Sequence, residues 1–201
     1  LKKQTGGRGQ FAEVYMEVAP SEEGTGLEFE NEIKGGAIPR EFIPSVERGI
    51  ESAMGDGPLA GYPLEGVAIR LYDGDHHEVD SDQNAFEIAG RLGFREAARK
   101  AGPVLMEPVM EVEVVTPDEY MGDIIGDLNG RRGRIGQMGQ RNDAQVINAE
   151  VPLSEMFGYS TDLRSLSQGR AIYTMQFNSY EPVPKEIATE IIDEDAVGAT
   201  A

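Results

Sequence analysis

The 201-residue chain has no cysteine, no tryptophan and only two histidines. Without cysteine there is no disulfide, no thiolate nucleophile and no Cys-ligated zinc, a usage that fits a reducing compartment. The histidines, His76 and His77, are adjacent, which excludes a multi-histidine metal centre or a Cys-His pair. No apolar run approaches the ~20 residues of a membrane span. Phosphate loops of the G-x-x-x-x-G-K-[ST] type and G-x-S-x-G nucleophile turns are both missing. Basic residues are scarce as well: 18 Lys+Arg stand against 36 Asp+Glu, a formal net charge of −18. Taken whole, that balance speaks against nucleic acid as a partner.

The distribution of charge says something different. Leu1–Ala12 carries +3, Arg91–Lys100 +3, Leu128–Asn142 +4 and Leu163–Tyr180 +2, so the rest of the chain carries −30. Screening acts over ~8 Å at physiological salt, so a phosphate senses its local island more than distant acids. An apolar share of 39% with 27% charged residues is that of a folded chain. The length suits one large or two small domains.

Gly102-Pro103 is the best internal boundary, and a second lies near Pro182 and Pro184. The glycine-rich start, with neither a methionine nor an apolar leader region, is expected to be a cut from a longer protein. Residues 1–102 read strand, strand, helix, strand, helix. Phe11 to Val18 is β-rich, and Leu27, Phe29, Asn31 and Ile33 alternate with three glutamates. Pro39 suits a first helical turn, followed by Phe42, Ile43, Val46, Ile50 and Met54 at helical spacing. Val67, Ile69 and Leu71 alternate, and Asp73–Asp80 follows as a loop. Ser81 is expected to cap a helix with a stripe of Ala85, Ile88, Ala89 and Leu92 and a second of Phe86, Gly93, Phe94 and Ala97. Residues 103–183 read β-α-β-β-α-β: Val109–Val115, a helix opened by a capping box Thr116-Pro117-Asp118-Glu119, strands near Arg134–Met138 and Ala144–Val151, a helix over Ser154–Leu166, and a last strand Arg170–Phe177. Residues 184–201 read as a short helix and a flexible acidic tail.

Three stretches hold the candidate chemistry. Asp73-Gly-Asp-His-His-Glu-Val-Asp-Ser-Asp82 begins like a calcium loop, but His77 and Glu78 stand where Asp or Asn and the turn glycine are required. Thr5-Gly-Gly-Arg-Gly-Gln10 offers accessible backbone N–H groups and one planar guanidinium fork, a weak phosphate signal by itself. Leu128–Asn142 holds Arg131, Arg132, Arg134 and Arg141 and no acid. These arginines either form salt bridges to the acidic helix before them or make a phosphate-facing edge.

Longer ordered strings resemble bacterial translation elongation factor G. Thr5–Gln10, Phe29-Glu-Asn-Glu-Ile-Lys-Gly-Gly-Ala-Ile-Pro39, Gly57-Pro-Leu-Ala-Gly-Tyr-Pro63 and His77-Glu-Val-Asp-Ser81 are similar to its fourth domain. Glu107-Pro108, Gly122–Asp127, Arg131-Arg-Gly133, Ala149–Tyr159 and Leu163–Arg170 are similar to its fifth. The resemblance covers residues 1–183. It implies an α+β chain: a ribosomal-protein-S5-domain-2-like domain over 1–102, followed by a ferredoxin-like βαββαβ domain over 103–183. It also implies an arm of a GTP-driven ribosomal translocase, cytoplasmic and monomeric, with no membrane contact.

In that family the fourth domain reaches the decoding centre and touches transfer RNA and messenger RNA. The matching tip loops here give Thr5, Gly6, Gly7, Arg8, Gly9 and Gln10 in one, and Asp75, His76, His77 and Glu78 in the other, with His77 at the tip-histidine position. The fifth domain lies near the stalk base and factor-binding RNA of the large subunit. Arg131, Arg132, Arg134 and Arg141 are the candidate ribosome contacts there. GTP and Mg belong to a preceding domain of the parent, so this stretch is expected to hold no cofactor, no metal and no catalytic residue. The arm of a ribosome-recycling or tetracycline-protection paralogue is the alternative, and a self-standing acidic metal-binding or hydrolytic protein a more distant one. The Gly-Gly-Arg-Gly-Gln and His-x-Val-Asp-Ser strings favour the translocase.

Overall fold

The computed structural model describes residues 1–3 and 9–198. The chain forms two compact units, Leu1–Val104 with Thr189–Ala201, and Leu105–Ala188.

In the first unit, β1 (Lys2–Lys3) pairs antiparallel with β2 (Gln10–Phe11). A three-stranded sheet follows, built from β3 (Glu13–Pro20), β4 (Leu27–Asn31) and β5 (Val67–Asp75) in the order β3-β5-β4. Strand β5 is central, antiparallel to β3 and parallel to β4. The parallel pair is joined through α1 (Ile43–Met54), and α2 (Gln83–Lys100) follows β5. Buried Val67, Ile69 and Leu71 put one face of β5 against Val46, Ile50, Phe86 and Phe94 from the helices. The rings of Phe42 and Phe86 stack at 5.1 Å.

Helices α1 and α2 meet backbone to backbone. A Cβ on Gly49 would lie 2.1 Å from Glu87 O, and one on Gly90 would lie 2.5 Å from Val46 O. Neither position accepts a side chain without moving a helix.

Several local expectations are corrected here. Strand β5 runs on to Asp75, because β3 offers ladder partners as far as Glu13↔Asp75, Val14↔Gly74 and Tyr15↔Asp73. The first three residues of the supposed loop, Asp73–Asp75, are therefore strand. Pro39 precedes a short 3-10 turn, Arg40–Phe42, while Pro44 occupies the first turn of α1. The cap of α2 is Asp82, whose side chain accepts from Ala85 N at 2.8 Å; Ser81 is used elsewhere. Leu92 is exposed, and the buried face of α2 runs through Ala85, Phe86, Ala89, Gly90, Phe94 and Ala98.

The second unit is β6 (Met106–Thr116), α3 (Met121–Gly130), β7 (Arg134–Arg141), β8 (Ala144–Pro152), α4 (Tyr159–Leu166) and β9 (Ile172–Pro182). The strand order β7-β8-β6-β9, antiparallel throughout, is the split βαβ sheet that the order β-α-β-β-α-β implies. Val112, Val114, Ile147, Ala149 and Val151 pack on Ile124, Leu128, Tyr159 and Leu163.

No capping box forms at Thr116. Strand β6 extends through that residue, whose hydroxyl donates to Pro117 O at 3.2 Å, and a 3-10 turn over Asp118–Tyr120 leads into α3. The helix expected over Ser154–Leu166 is two pieces: a 3-10 turn, Leu153–Glu155, and α4, separated by Gly158 at φ +79°. That left-handed residue is what breaks the run. Helix α5 (Lys185–Gly198) ends the described chain.

Candidate nucleic-acid interface

Two segments distant in sequence form one end of the first unit. Phe11 N donates to Asp80 O at 2.9 Å, and the Ser81 hydroxyl donates to Phe11 O at 2.6 Å. The same hydroxyl accepts from His77 N at 2.9 Å, while Ser81 N donates to His77 O at 3.0 Å. Ser81 is buried and fastens the second loop both to itself and to β2. Gly9 lies so close that a Cβ there would sit 2.7 Å from the Asp80 carboxylate. Gly9 and Gln10 thus belong to the same assembly as His77–Ser81. Thr5, Gly6, Gly7 and Arg8 lie outside the described residues.

The two histidines differ in tautomer. His77 Nδ1 accepts from Val79 N and Asp80 N, both at 3.2 Å, so its proton sits on Nε2. Its side chain is 51% exposed, which turns a fixed donor edge to solvent; Asp80 Oδ2 lies 3.7 Å from Nδ1. His76 Nδ1 lies 3.1 Å from Ala37 O, an acceptor only, so His76 carries its proton on Nδ1 and is half-buried rather than a free loop side chain. Glu78 is exposed in the turn. Asp73 and Asp75 accept the backbone N–H groups of Gly74 and His76, each at 2.8 Å. These carboxylates serve the local backbone, and among the described residues no three His, Asp or Glu side chains converge as a metal site.

The arginine-rich stretch of the second unit is fully engaged. Arg131 donates to Asp127 at 2.8 Å, to Glu155 O at 2.6 Å and to Asp162, and lies 4.9 Å above the Tyr159 ring. Arg132 grips Glu107 with both Nη atoms, at 2.7 and 2.9 Å, and donates from Nε to Glu155 at 2.9 Å. Hydrogen bonding to Glu107, opposed by burial and reinforced by Glu155, raises the Arg132 pKa. Arg134 bridges Glu150 and Glu181, holding the Glu181 carboxyl below the usual range, and Arg141 meets Glu113 at 3.2 Å. Of the two readings open from sequence, salt bridging is what forms, but only Arg131–Asp127 uses the preceding helix. The other acids come from β6, β8, β9, α4 and the 3-10 turn before α4. Arg131 and Arg132 are 14% and 26% exposed, Arg134 and Arg141 57% and 61%.

The cations of the first unit are less engaged. Lys2, Lys3, Lys34, Arg40, Arg91 and Arg99 have no carboxylate partner among the described residues.

Comparison with known proteins places the chain in a family. The family model described as elongation factor G, domain IV, matches residues 1–102, and that of the elongation factor G C-terminus matches residues 104–191. The chain belongs to the elongation factor G family. It is 85% identical, over its whole length, to elongation factor G of Salinibacter ruber (strain DSM 13855 / M31), and spans 29% of that relative. A crystal structure of a Thermus thermophilus protein superposes with a TM-score of 0.84 at 41% identity, covering 98% of this chain and 29% of that one. Elongation factor G domain IV and its C-terminal domain thus account for both units and their α+β folds. No helix among the described residues is long and apolar enough to cross a membrane.

Proposed function

We propose that this chain is the RNA-contacting arm of a ribosomal translocase. The first unit carries its strapped tip toward transfer RNA and messenger RNA at the decoding centre. The second lies against the stalk base and factor-binding RNA of the large subunit. GTP and Mg are handled by a preceding part of the protein, and the arm itself contributes shape and a few charge-assisted hydrogen bonds as a cytoplasmic monomer. The observation that carries this reading is the Ser81 strap, which unites Gly9–Phe11 with His77–Ser81 and leaves the His77 Nε2–H facing out. In the second unit, RNA contact falls first to Arg134 and Arg141, the two more exposed arginines, which reach a phosphate by exchanging a carboxylate partner. The test is His77→Ala in the full-length factor. Translocation slows while ribosome-dependent GTP hydrolysis continues near the parent rate; equal loss of both activities would refute a tip role.

A further inference from the structure

The segment Ile33–Ile38 leaves β4, where Glu32 N donates to Leu71 O at 2.8 Å, and folds back beside the tip. His76 Nδ1 donates to Ala37 O at 3.1 Å, and Ile38 Cδ1 lies where a Cβ on Gly74 would come within 2.6 Å of it. This third loop is therefore latched to the strand that ends in the His77 turn. Its centre is a tight turn closed by Ala37 N to Lys34 O at 3.4 Å, with Gly35 and Gly36 both left-handed at φ +65° and +74°. Nothing lies within 4 Å of a Cβ placed on either glycine, and neither N–H donates to an acceptor among the described residues. Beneath the turn is an open cleft of about 430 Å³ lined by Asn31, Ile33, Gly35, Gly36, Ile38 and Arg40, among others. Arg40 and Lys34 have no carboxylate partner among the described residues, although the chain carries twice as many acids as bases. The nearby Glu32 is turned to Arg70 at 3.0 Å.

The geometry points to this cleft as a binding site for a backbone phosphate of an RNA strand, held by the Arg40 guanidinium and the Gly35 and Gly36 N–H groups, with Lys34, exposed in the same turn though not part of the cleft lining, adding a second positive charge. Successive free backbone N–H groups in a glycine turn form an anion cradle. A guanidinium matches two phosphate oxygens, and an ammonium adds a mobile point charge. The ring of His76, by holding Ala37, sets this cradle at a fixed distance from the His77 edge, so the strand is gripped at two places by one rigid end. The inference rests on the RNA-contacting reading above.

The test uses Lys34→Ala with Arg40→Ala in the full-length factor, beside His77→Ala and the charge-keeping pair Lys34→Arg with Arg40→Lys. Both side chains of the Ala pair are at the surface, and an unchanged melting temperature verifies folding. Two lost contacts to a single strand reduce the magnitude of the salt slope of ribosome binding by about 1.4, so from roughly 50 to 200 mM salt the parent weakens about sevenfold more than the Ala pair. Translocation slows in the Ala pair while GTP hydrolysis holds, and the charge-keeping pair keeps the parent's salt slope, because that slope counts neutralised phosphates. An unchanged salt slope in the Ala pair overturns the site; if His77→Ala is still slow, the arm reading stands without it. If neither variant is slow, both fall. A free-anion ligand would instead show as inorganic phosphate raising the melting temperature of the ribosome-free parent but not of the Ala pair, with the salt slopes of ribosome binding equal in the two; that result would overturn the RNA assignment.

Discussion

Tyr159→Phe should stabilise the second unit. The Tyr159 side chain is buried under α4, its ring edge-on to Tyr173 at 4.9 Å and capped by Arg131 at 4.9 Å. Its hydroxyl is buried without a hydrogen-bond partner among the described residues. An unsatisfied buried group of this kind costs about 1–3 kcal/mol, while the small void left by its removal costs a few tenths of a kcal/mol. Phenylalanine keeps the ring, the edge contact and the cation–π contact, so the net gain is about 1 kcal/mol. Native-state amide exchange at Ile147 and Ala149 of β8 reads this directly, slowing about fivefold. The alkaline limb provides a second readout. Burial, with a lesser push from Asp127, raises the Tyr159 phenol above its ordinary 10.0. Above about pH 10 the unfolded chain sheds this proton and the folded chain keeps it, so stability is intact below that pH and falls as pH rises. The Phe variant lacks that component of the fall. Faster exchange in the variant, or an unaltered alkaline limb, would refute the claim that the hydroxyl is an uncompensated group.

Gly49→Ala forces a methyl onto Glu87 O and should lower stability by about 2–3 kcal/mol, read as a fall in melting temperature; a neutral result would mean the helix pair tolerates separation. Asp82→Ala removes the cap of α2 and costs about 1 kcal/mol in urea unfolding, whereas Ser81→Ala alters His77 and Phe11 amide exchange and leaves the cap intact. Arg132→Ala leaves the half-buried Glu107 and Glu155 carboxylates without their counter-ion. It should cost about 2 kcal/mol, between the values for exposed and fully buried pairs. Arg132→Gly should lose somewhat less, because the residue sits at φ +58° where glycine is unstrained.

Alternation and helical spacing made most elements legible. Strands β6 and β8, the interior of α1 and the order β-α-β-β-α-β follow from apolar periodicity, which depends only on neighbours in sequence; the last strand, expected over Arg170–Phe177, instead runs from Ile172 to Pro182 because β6 offers partners as far as Met106↔Pro182. The errors fall where a distant segment decides. Asp73–Asp75 is strand because Glu13–Tyr15 pairs with it. Ser81 is taken from the helix cap because Phe11 O competes for its hydroxyl. Thr116 joins a ladder instead of capping a helix, through its pairing with Gln145.

The candidate site divides in the same way. The sequence by itself determined that Gly9, Gln10 and His77 belong to polar, glycine-marked stretches and that the arginines cluster at residues 131–141, because residue type and spacing are local properties. Tertiary structure alone decided that the loops share one end, that His76 and His77 carry their protons on opposite nitrogens, and that each of those arginines faces an acid. Each depends on which oxygen another part of the chain brings within about 3 or 4 Å. The third loop, Lys34–Ala37, drew notice in the sequence only as part of a family string. Its cleft, and the placing of two cations that have no carboxylate partner among the described residues, exist only once β4, β5 and the His76 ring hold the loop in place.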